Sequence, residues 1–214
     1  MVSPHALTLA KLAEHLRDDE IHVWRLDYQV RLGRAPLCSV LAAYLGADPT
    51  SIRLIEGEHG RPALAPPHDQ TLGFNWSHTG EHALMAVGRH LTPGIDVERL
   101  RPRPRALQIA QRFFSKEETA ALARLPESAR EQAFLRVWTA KEAVVKALGR
   151  GIAFGLDRLS VDCSDQQLIL RWLDGDDVAA WQLHALPFGP DLTTALAWRG
   201  ARRRIRLGTL ASRA

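Results

Sequence analysis

Leu91-Thr92-Pro93-Gly94-Ile95-Asp96-Val97-Glu98 is the stretch on which the reading of the fold turns. Thr92-Pro93-Gly94 breaks the chain, because proline fixes φ and removes a backbone donor while glycine favours no regular element. Ile95 to Val97 then reads as a short strand. Upstream, Lys11 to Arg17 has the apolar spacing of a short helix, with Leu9, Leu12, Ala13 and Leu16 on one side. His22 to Tyr28 alternates as a strand, and Leu37 to Leu45 is a compact apolar helix closed by Gly46. Ser51 to Glu56 is a predicted strand, Gly57 to Pro67 a turn-rich loop, and Phe74 to Ser77 and Ala83 to Gly88 are strands around a polar turn.

Downstream of the break, Arg101 to Arg105 alternates three arginines with two prolines and reads as a linker. Ala106 to Phe114 and Lys116 to Leu125 are predicted helices, the second opened by Ser115 with Glu118 three residues on, a capping box. Glu127 to Leu148 is the longest helical pattern, ended by Gly149 and Gly151. Arg158 to Asp162, Gln167 to Trp172, Ala179 to Leu186 and Thr193 to Trp198 are predicted strands of an antiparallel sheet. The order predicts an α+β fold of two halves, residues 1–92 and 93–214, although no sequence repeat is visible.

Composition narrows the function classes. With 214 residues, 46% hydrophobic and 24% charged, the chain suits one ample domain or two small ones sharing a face. No apolar run approaches the ~20 residues needed to span a bilayer. Met1 to Glu20 is mixed polar, ending in Asp18, Asp19 and Glu20, and does not read as a signal peptide. Cys38 and Cys163 have no spacing that suggests a metal knuckle or a disulfide framework. A cytoplasmic protein is expected. Residues 1–100 hold 9 Lys/Arg against 12 Asp/Glu, whereas residues 101–214 hold 19 against 12. The basic second half suits an anionic partner, be it nucleic acid, a phosphorylated cofactor or an acidic protein. Nucleic acid is not expected: Arg199, Arg202, Arg203, Arg204 and Arg206 form a terminal basic run without an aromatic stacking platform.

Three clusters bear chemistry. In Gly94-Ile95-Asp96-Val97-Glu98 the two carboxylates share one face of a strand while Ile95 and Val97 face the core. A divalent cation relieves their repulsion, and magnesium takes one or two carboxylates and completes its shell with water and phosphate. Alone, this pattern also fits a solvated strand edge. In Trp138-Thr139-Ala140-Lys141-Glu142-Ala143-Val144-Val145-Lys146, Glu142 and Lys146 share a helix face, with Trp138 one turn earlier. A surface ion pair is the plain alternative. In Phe74-Asn75-Trp76-Ser77-His78, donors gather at the end of a strand, where they could hold a phosphate or simply build a turn. Gly60-Arg61-Pro62 puts a guanidinium on a rigid turn upstream.

Taken together, these segments resemble the Sfp-type 4'-phosphopantetheinyl transferases. That family's pattern runs G-[KR]-P, F-N-x-S-H, G-[IV]-D-[IV]-E, F-F-S-x-x-E and W-[ST]-x-K-E-[AS]-x-x-K-x-x-G-x-G. Gly60-Arg61-Pro62, Phe74 to His78, Gly94 to Glu98, Phe113 to Glu118 and Trp138 to Gly151 match it in order, within a resemblance covering residues 21 to 200. Trp138 and Ala143 match the family's W…KEA subgroup. The resemblance implies two similar α+β halves related by a pseudo-twofold, with the site in the cleft between them. It implies a monomeric, magnesium-dependent enzyme that transfers phosphopantetheine from coenzyme A to a serine of an acyl or peptidyl carrier protein.

By the same resemblance Asp96, Glu98 and Glu142 are the metal carboxylates, and Arg61, Ser77, His78, Lys141 and Lys146 address the coenzyme A phosphates. Glu142, Asp96 and Lys146 are the catalytic set. Phe113 and Phe114 are expected to pack the second half's core or the loop that meets the carrier. The N-terminal portion departs from the family pattern, lacking the Arg-rich helical stretch that usually follows the first strand. Arg31 and Arg34 are the expected substitutes, with Pro36 interrupting a helix there. The alternative function is a catalytically weak module that binds coenzyme A or a carrier.

Overall fold

The structure is a computed structural model and describes residues 9, 13, 15–57, 59–163 and 167–210. The helix expected over residues 11–17 lies largely outside them. The first half comprises β1 (Glu20–Asp27), α1 (Ala35–Leu45), the hairpin β2 (Leu54–Glu56) and β3 (Pro62–Leu64), and the hairpin β4 (Leu72–Thr79) and β5 (His82–Arg89). The second comprises β6 (Gly94–Arg99), α2 (Ala106–Phe113), α3 (Lys116–Arg124), α4 (Glu127–Leu148), the hairpin β7 (Leu159–Asp162) and β8 (Ile169–Leu173), and β9 (Trp181–Ala185) with β10 (Leu192–Arg199). A last strand, β11 (Arg204–Leu210), follows.

The two halves share one wiring. One sheet has the order β11-β1-β5-β4 and another β6-β10-β9. In each half the opening strand pairs with the last strand of the unit, which pairs in turn with the penultimate one. A repeat invisible in the sequence is therefore plain in the topology, and the fold is α+β, as expected.

Period-two burial explains the layering. Ile21 and Val23 of β1, Leu84 and Ala86 of β5, Ile95 and Val97 of β6, and Leu196 and Trp198 of β10 form the core between the sheets. Trp24, Leu26, Phe74 and Met85 on the other face of the first sheet pack on Leu37, Val40 and Leu41 of α1. Ala195 and Ala197 on the outer face of the second sheet join the core built around α4. Phe114 is buried and Phe113 half-buried in that core, as one of the two expected roles required. Among the described residues no helix is long and apolar enough to cross a membrane.

Several expectations change. The loop over residues 57–67 contains β3, and the strand expected from Ser51 begins only at Leu54. Pro36 does not interrupt a helix; it stands in the first turn of α1, where no intrahelical donor is lost. The terminal basic run is largely engaged in pairs within the chain. β11 lies parallel to β1, Arg206 bonds Glu20, Arg203 donates to the Arg89 carbonyl and Arg199 pairs with Asp176. Sheet membership therefore does not follow the division at residue 93, because the last strand of the second half completes the first half's sheet.

Candidate active site at the junction of the halves

β4 and β6 belong to different sheets, and side chains join them where a ladder would otherwise run. The Ile95 amide donates to Asn75 Oδ1 at 2.8 Å, and the Arg99 amide to Thr79 Oγ1 at 3.4 Å. Between them Ser77 Oγ donates to Asp96 Oδ1 at 2.7 Å. Asn75 and Ser77 point one way from β4, so Trp76 and His78 point the other. The His78 ring stacks on Tyr28 with centroids 4.4 Å apart. Burial, and then the charge of Lys146, lower the His78 pKa, so the ring is neutral at neutral pH.

The close approach of α4 to β6 depends on Gly94. A Cβ there would lie 1.9 Å from the Ala143 carbonyl oxygen and 2.4 Å from the Ala147 amide nitrogen. Only glycine lets the Glu142–Lys146 turn settle on the strand that bears Asp96. Lys146 Nζ then bonds Asp96 Oδ1 at 2.6 Å, Ser77 Oγ at 3.1 Å and the Ile95 carbonyl at 3.3 Å. One ammonium thus ties together α4, β6 and β4.

The carboxylates around it are under-satisfied. Asp96 Oδ2 and Glu142 Oε1 are buried without a hydrogen-bond partner, which is costly unless a ligand completes them. Burial pushes the Glu142 carboxyl up to about 7; the Lys146 charge opposes this, and the charges of Asp96 and Glu98 add to it. Burial, followed by the neighbouring charge of Asp96, also raises the Glu98 pKa. Glu98 Oε2, unlike the other two, accepts from Arg103 Nη2 at 3.0 Å.

The metal expectation can be tested on these atoms. Among the described residues no three His, Cys, Asp or Glu side chains are grouped tightly enough to hold a metal ion. The expected triad of Asp96, Glu98 and Glu142 is thus not assembled as a ligand set. Two of its members nevertheless present open, buried carboxylate oxygens, hard donors of the kind magnesium takes. The donor chemistry fits, and Glu98 is paired with Arg103.

Two expected phosphate ligands are placed elsewhere. Lys141 is fully buried on another side of α4, and its three donors go to the Leu156 carbonyl at 2.8 Å, the Leu159 carbonyl at 2.7 Å and Glu118 Oε2 at 2.5 Å. Glu118 also accepts from the Ser115 and Val161 amides, so the capping box and Lys141 form one structural knot. Arg61 turns inward: its guanidinium donates to the carbonyls of Lys146, Phe74 and Pro93, stitching α4, β4 and the break at residue 93 together. Its pKa is lowered to about 10 by burial, which leaves it charged at neutral pH. In this structure the donors of Lys141, and both terminal nitrogens of Arg61, are directed at groups of the chain itself.

Arg31 donates to Gln29 Oε1 at 2.7 Å, and Arg34 pairs with Glu56 at 2.6 Å, both on the surface beside α1. Neither joins the network of Ser77, Asp96 and Lys146. Arg103 was not legible as a site residue, because its stretch reads as a linker. The same holds for Tyr28, whose strand alternation says nothing of its ring partner.

Comparison with known proteins bears on the family. The description "4'-phosphopantetheinyl transferase superfamily" matches residues 92–197, from the break through β6 and α4 to β10. The chain is 31% identical over 172 residues to slr0495 of Synechocystis, assigned by name to the 4'-phosphopantetheinyl transferases, covering 77% of this chain and 69% of that protein. HetI of Nostoc, a 4'-phosphopantetheinyl transferase, is 40% identical over 56% of this chain and 52% of its own length. Sfp of Bacillus subtilis is 32% identical over 63% of this chain and 58% of its own. The chain belongs to the 4'-phosphopantetheinyl transferase superfamily. It spans little more than half the length of HetI and Sfp.

Proposed function

We propose that the chain transfers the 4'-phosphopantetheine arm of coenzyme A to a serine of an acyl or peptidyl carrier protein, releasing 3',5'-ADP, with magnesium held by Asp96, Glu98 and Glu142. Family membership supports the reaction class. The observation behind the site is the junction itself, where one lysine, one hydroxyl and two open carboxylate oxygens gather between the halves. Magnesium bound to these carboxylates supplies positive charge to the diphosphate of coenzyme A.

The chain's own residues do the rest by position and charge. Lys146, fixed by Asp96, Ser77 and the Ile95 carbonyl, offers a pre-oriented cation to a phosphate oxygen with little reorganisation. His78, neutral and braced on Tyr28 on the face of β4 opposite Ser77, offers a ring nitrogen as a hydrogen-bond donor to a phosphate on that side. Glu142 takes the proton of the carrier serine on the carboxylate oxygen that the cation would leave free. The serine oxygen bonds to the phosphorus attached to pantetheine, the anhydride P–O bond breaks, and its electron pair leaves with 3',5'-ADP. Both halves of one chain build the site, so a monomer suffices. The basic second half favours an acidic carrier surface. The finer placement in the Sfp-type W…KEA group rests on Trp138, Lys141, Glu142 and Ala143.

The test is mass spectrometry of purified apo carrier proteins from fatty-acid, polyketide and peptide synthesis, incubated with the chain, coenzyme A and magnesium. A gain of one phosphopantetheine on any of them is expected, and its loss with Glu142→Gln while the fold is retained. No gain on any carrier would leave only binding, and a folded, active Glu142→Gln would remove Glu142 from the mechanism.

A further inference from the structure

We propose that Arg103 is a positioning residue: an internal counter-ion that holds Glu98 out of the ligand set until a divalent cation displaces it. This rests on the reading of Glu98 as a metal ligand. Three observations meet here. Asp96 and Glu142 keep buried, unpartnered oxygens, whereas Glu98 is engaged by Arg103 at 3.0 Å. The three carboxylates are not grouped for metal binding; Asp96 is paired with Lys146, which also serves Ser77 and the Ile95 carbonyl, whereas the cation on Glu98 is Arg103. Arg103 is itself poorly satisfied, since its Nε is buried with no hydrogen-bond partner. A guanidinium with an idle buried donor is held less firmly than a fully bonded one.

The surroundings allow the exchange. Pro102 and Pro104 flank Arg103, and its amide donates to Glu131 Oε1 of α4 at 2.9 Å, so the backbone is pinned while the side chain can rotate. A cavity of about 110 Å³, lined by Glu98, Arg103, Ile109, Phe134, Leu135 and Trp138, offers room for that rotation. A divalent ion carries twice the charge of the guanidinium and attracts the carboxylate more strongly at equal distance. Cation and Arg103 therefore compete for Glu98. By that competition Arg103 tunes metal affinity without touching the reacting atoms.

The test is calorimetric titration of the full chain with Mn²⁺ in the absence of coenzyme A. Arg103→Gln should bind about tenfold more tightly than wild type, a change of ~1.4 kcal/mol. Arg103→Lys should fall between the two. Arg101→Gln removes a neighbouring charge that reaches Glu98 only through space, and should shift affinity less than about twofold. Unchanged or weaker binding by folded Arg103→Gln overturns the proposal. Absence of binding by wild type and Arg103→Gln alike, or binding that survives Asp96→Asn with Glu142→Gln, overturns the metal reading and the proposal with it. Should Arg103→Gln fail to fold, the ¹⁵Nε resonance of Arg103 in the wild type decides. Magnesium should move it while leaving that of Arg101 in place, and an unmoved resonance overturns the proposal.

Discussion

At adjacent positions on α4, Lys141 and Glu142 face different sides of the helix, and their surroundings set different roles. Lys141→Met would strand the Glu118 carboxylate in the second half's core. Removing one partner of a buried ion pair costs about 3 kcal/mol or more, so urea unfolding should show a loss of that order with the KM for coenzyme A little changed. A raised KM at unchanged stability would return Lys141 to the ligand. A second buried network lies under β11. His22 Nδ1 is 2.8 Å from Tyr44 Oη, which also accepts from Trp24, and His22 Nε2 is 3.5 Å from Glu20. Burial lowers the His22 pKa from its ordinary 6.5. The unfolded chain therefore takes up that proton first, and stability present above pH 6.5 is lost as the pH falls below it. Glu20 acts in the same direction at lower pH: burial raises its pKa, but the bonds from Arg206 and His22 outweigh this and leave it lowered. Between about pH 7.5 and about pH 5.5 the melting temperature of the wild type should decline relative to that of His22→Gln, since the other titrating groups are common to both.

At the scale of elements, the strongest local signals were those carried by adjacent residues. The capping box at Ser115 and Glu118 forms as read, and α4 spans Glu127–Leu148 as its pattern predicts. Strand β3 was hidden because three residues among glycine and prolines show no periodicity, and its pairing with β2 supplies the order. Gly94 shows what a motif letter means physically. It has no turn to make; it admits the α4 backbone onto β6. Gly94→Ala would drive a methyl group into two backbone atoms that cannot move separately, an overpacking worth about 1–3 kcal/mol. Because relief requires α4 to shift from β6, carrier modification should fall at least about tenfold even where circular dichroism shows a folded protein. Normal activity and melting temperature in that variant would mean that the helix is not set by this contact.

For the molecule as a whole, β11 joins the ends of the fold by pairing in parallel with β1 from Glu20↔Arg204 to Leu26↔Leu210. Ending the chain at Arg203 would expose the β1 edge and remove the Arg206 bond to Glu20. An open strand edge templates association, so size-exclusion chromatography should show dimers or aggregates where the full chain elutes as one species. An unchanged profile would make β11 dispensable. The internal duplication belongs to this scale too. It is absent from the residues and present in the strand order, since many sequences satisfy one wiring provided each alternates buried and exposed positions. The sequence by itself determined most of the α+β elements around the Pro93–Gly94 break, the superfamily, and which carboxylates and donors to watch, because these depend on local periodicity and on the chemistry of short motifs. Only the tertiary structure decided that Lys141 bonds Glu118 and Arg61 the carbonyls beside it, that Lys146 ties Asp96 to Ser77, and that Arg103 pairs with Glu98. A side chain's partner is set by which distant backbone it meets, and spacing along the chain does not record that.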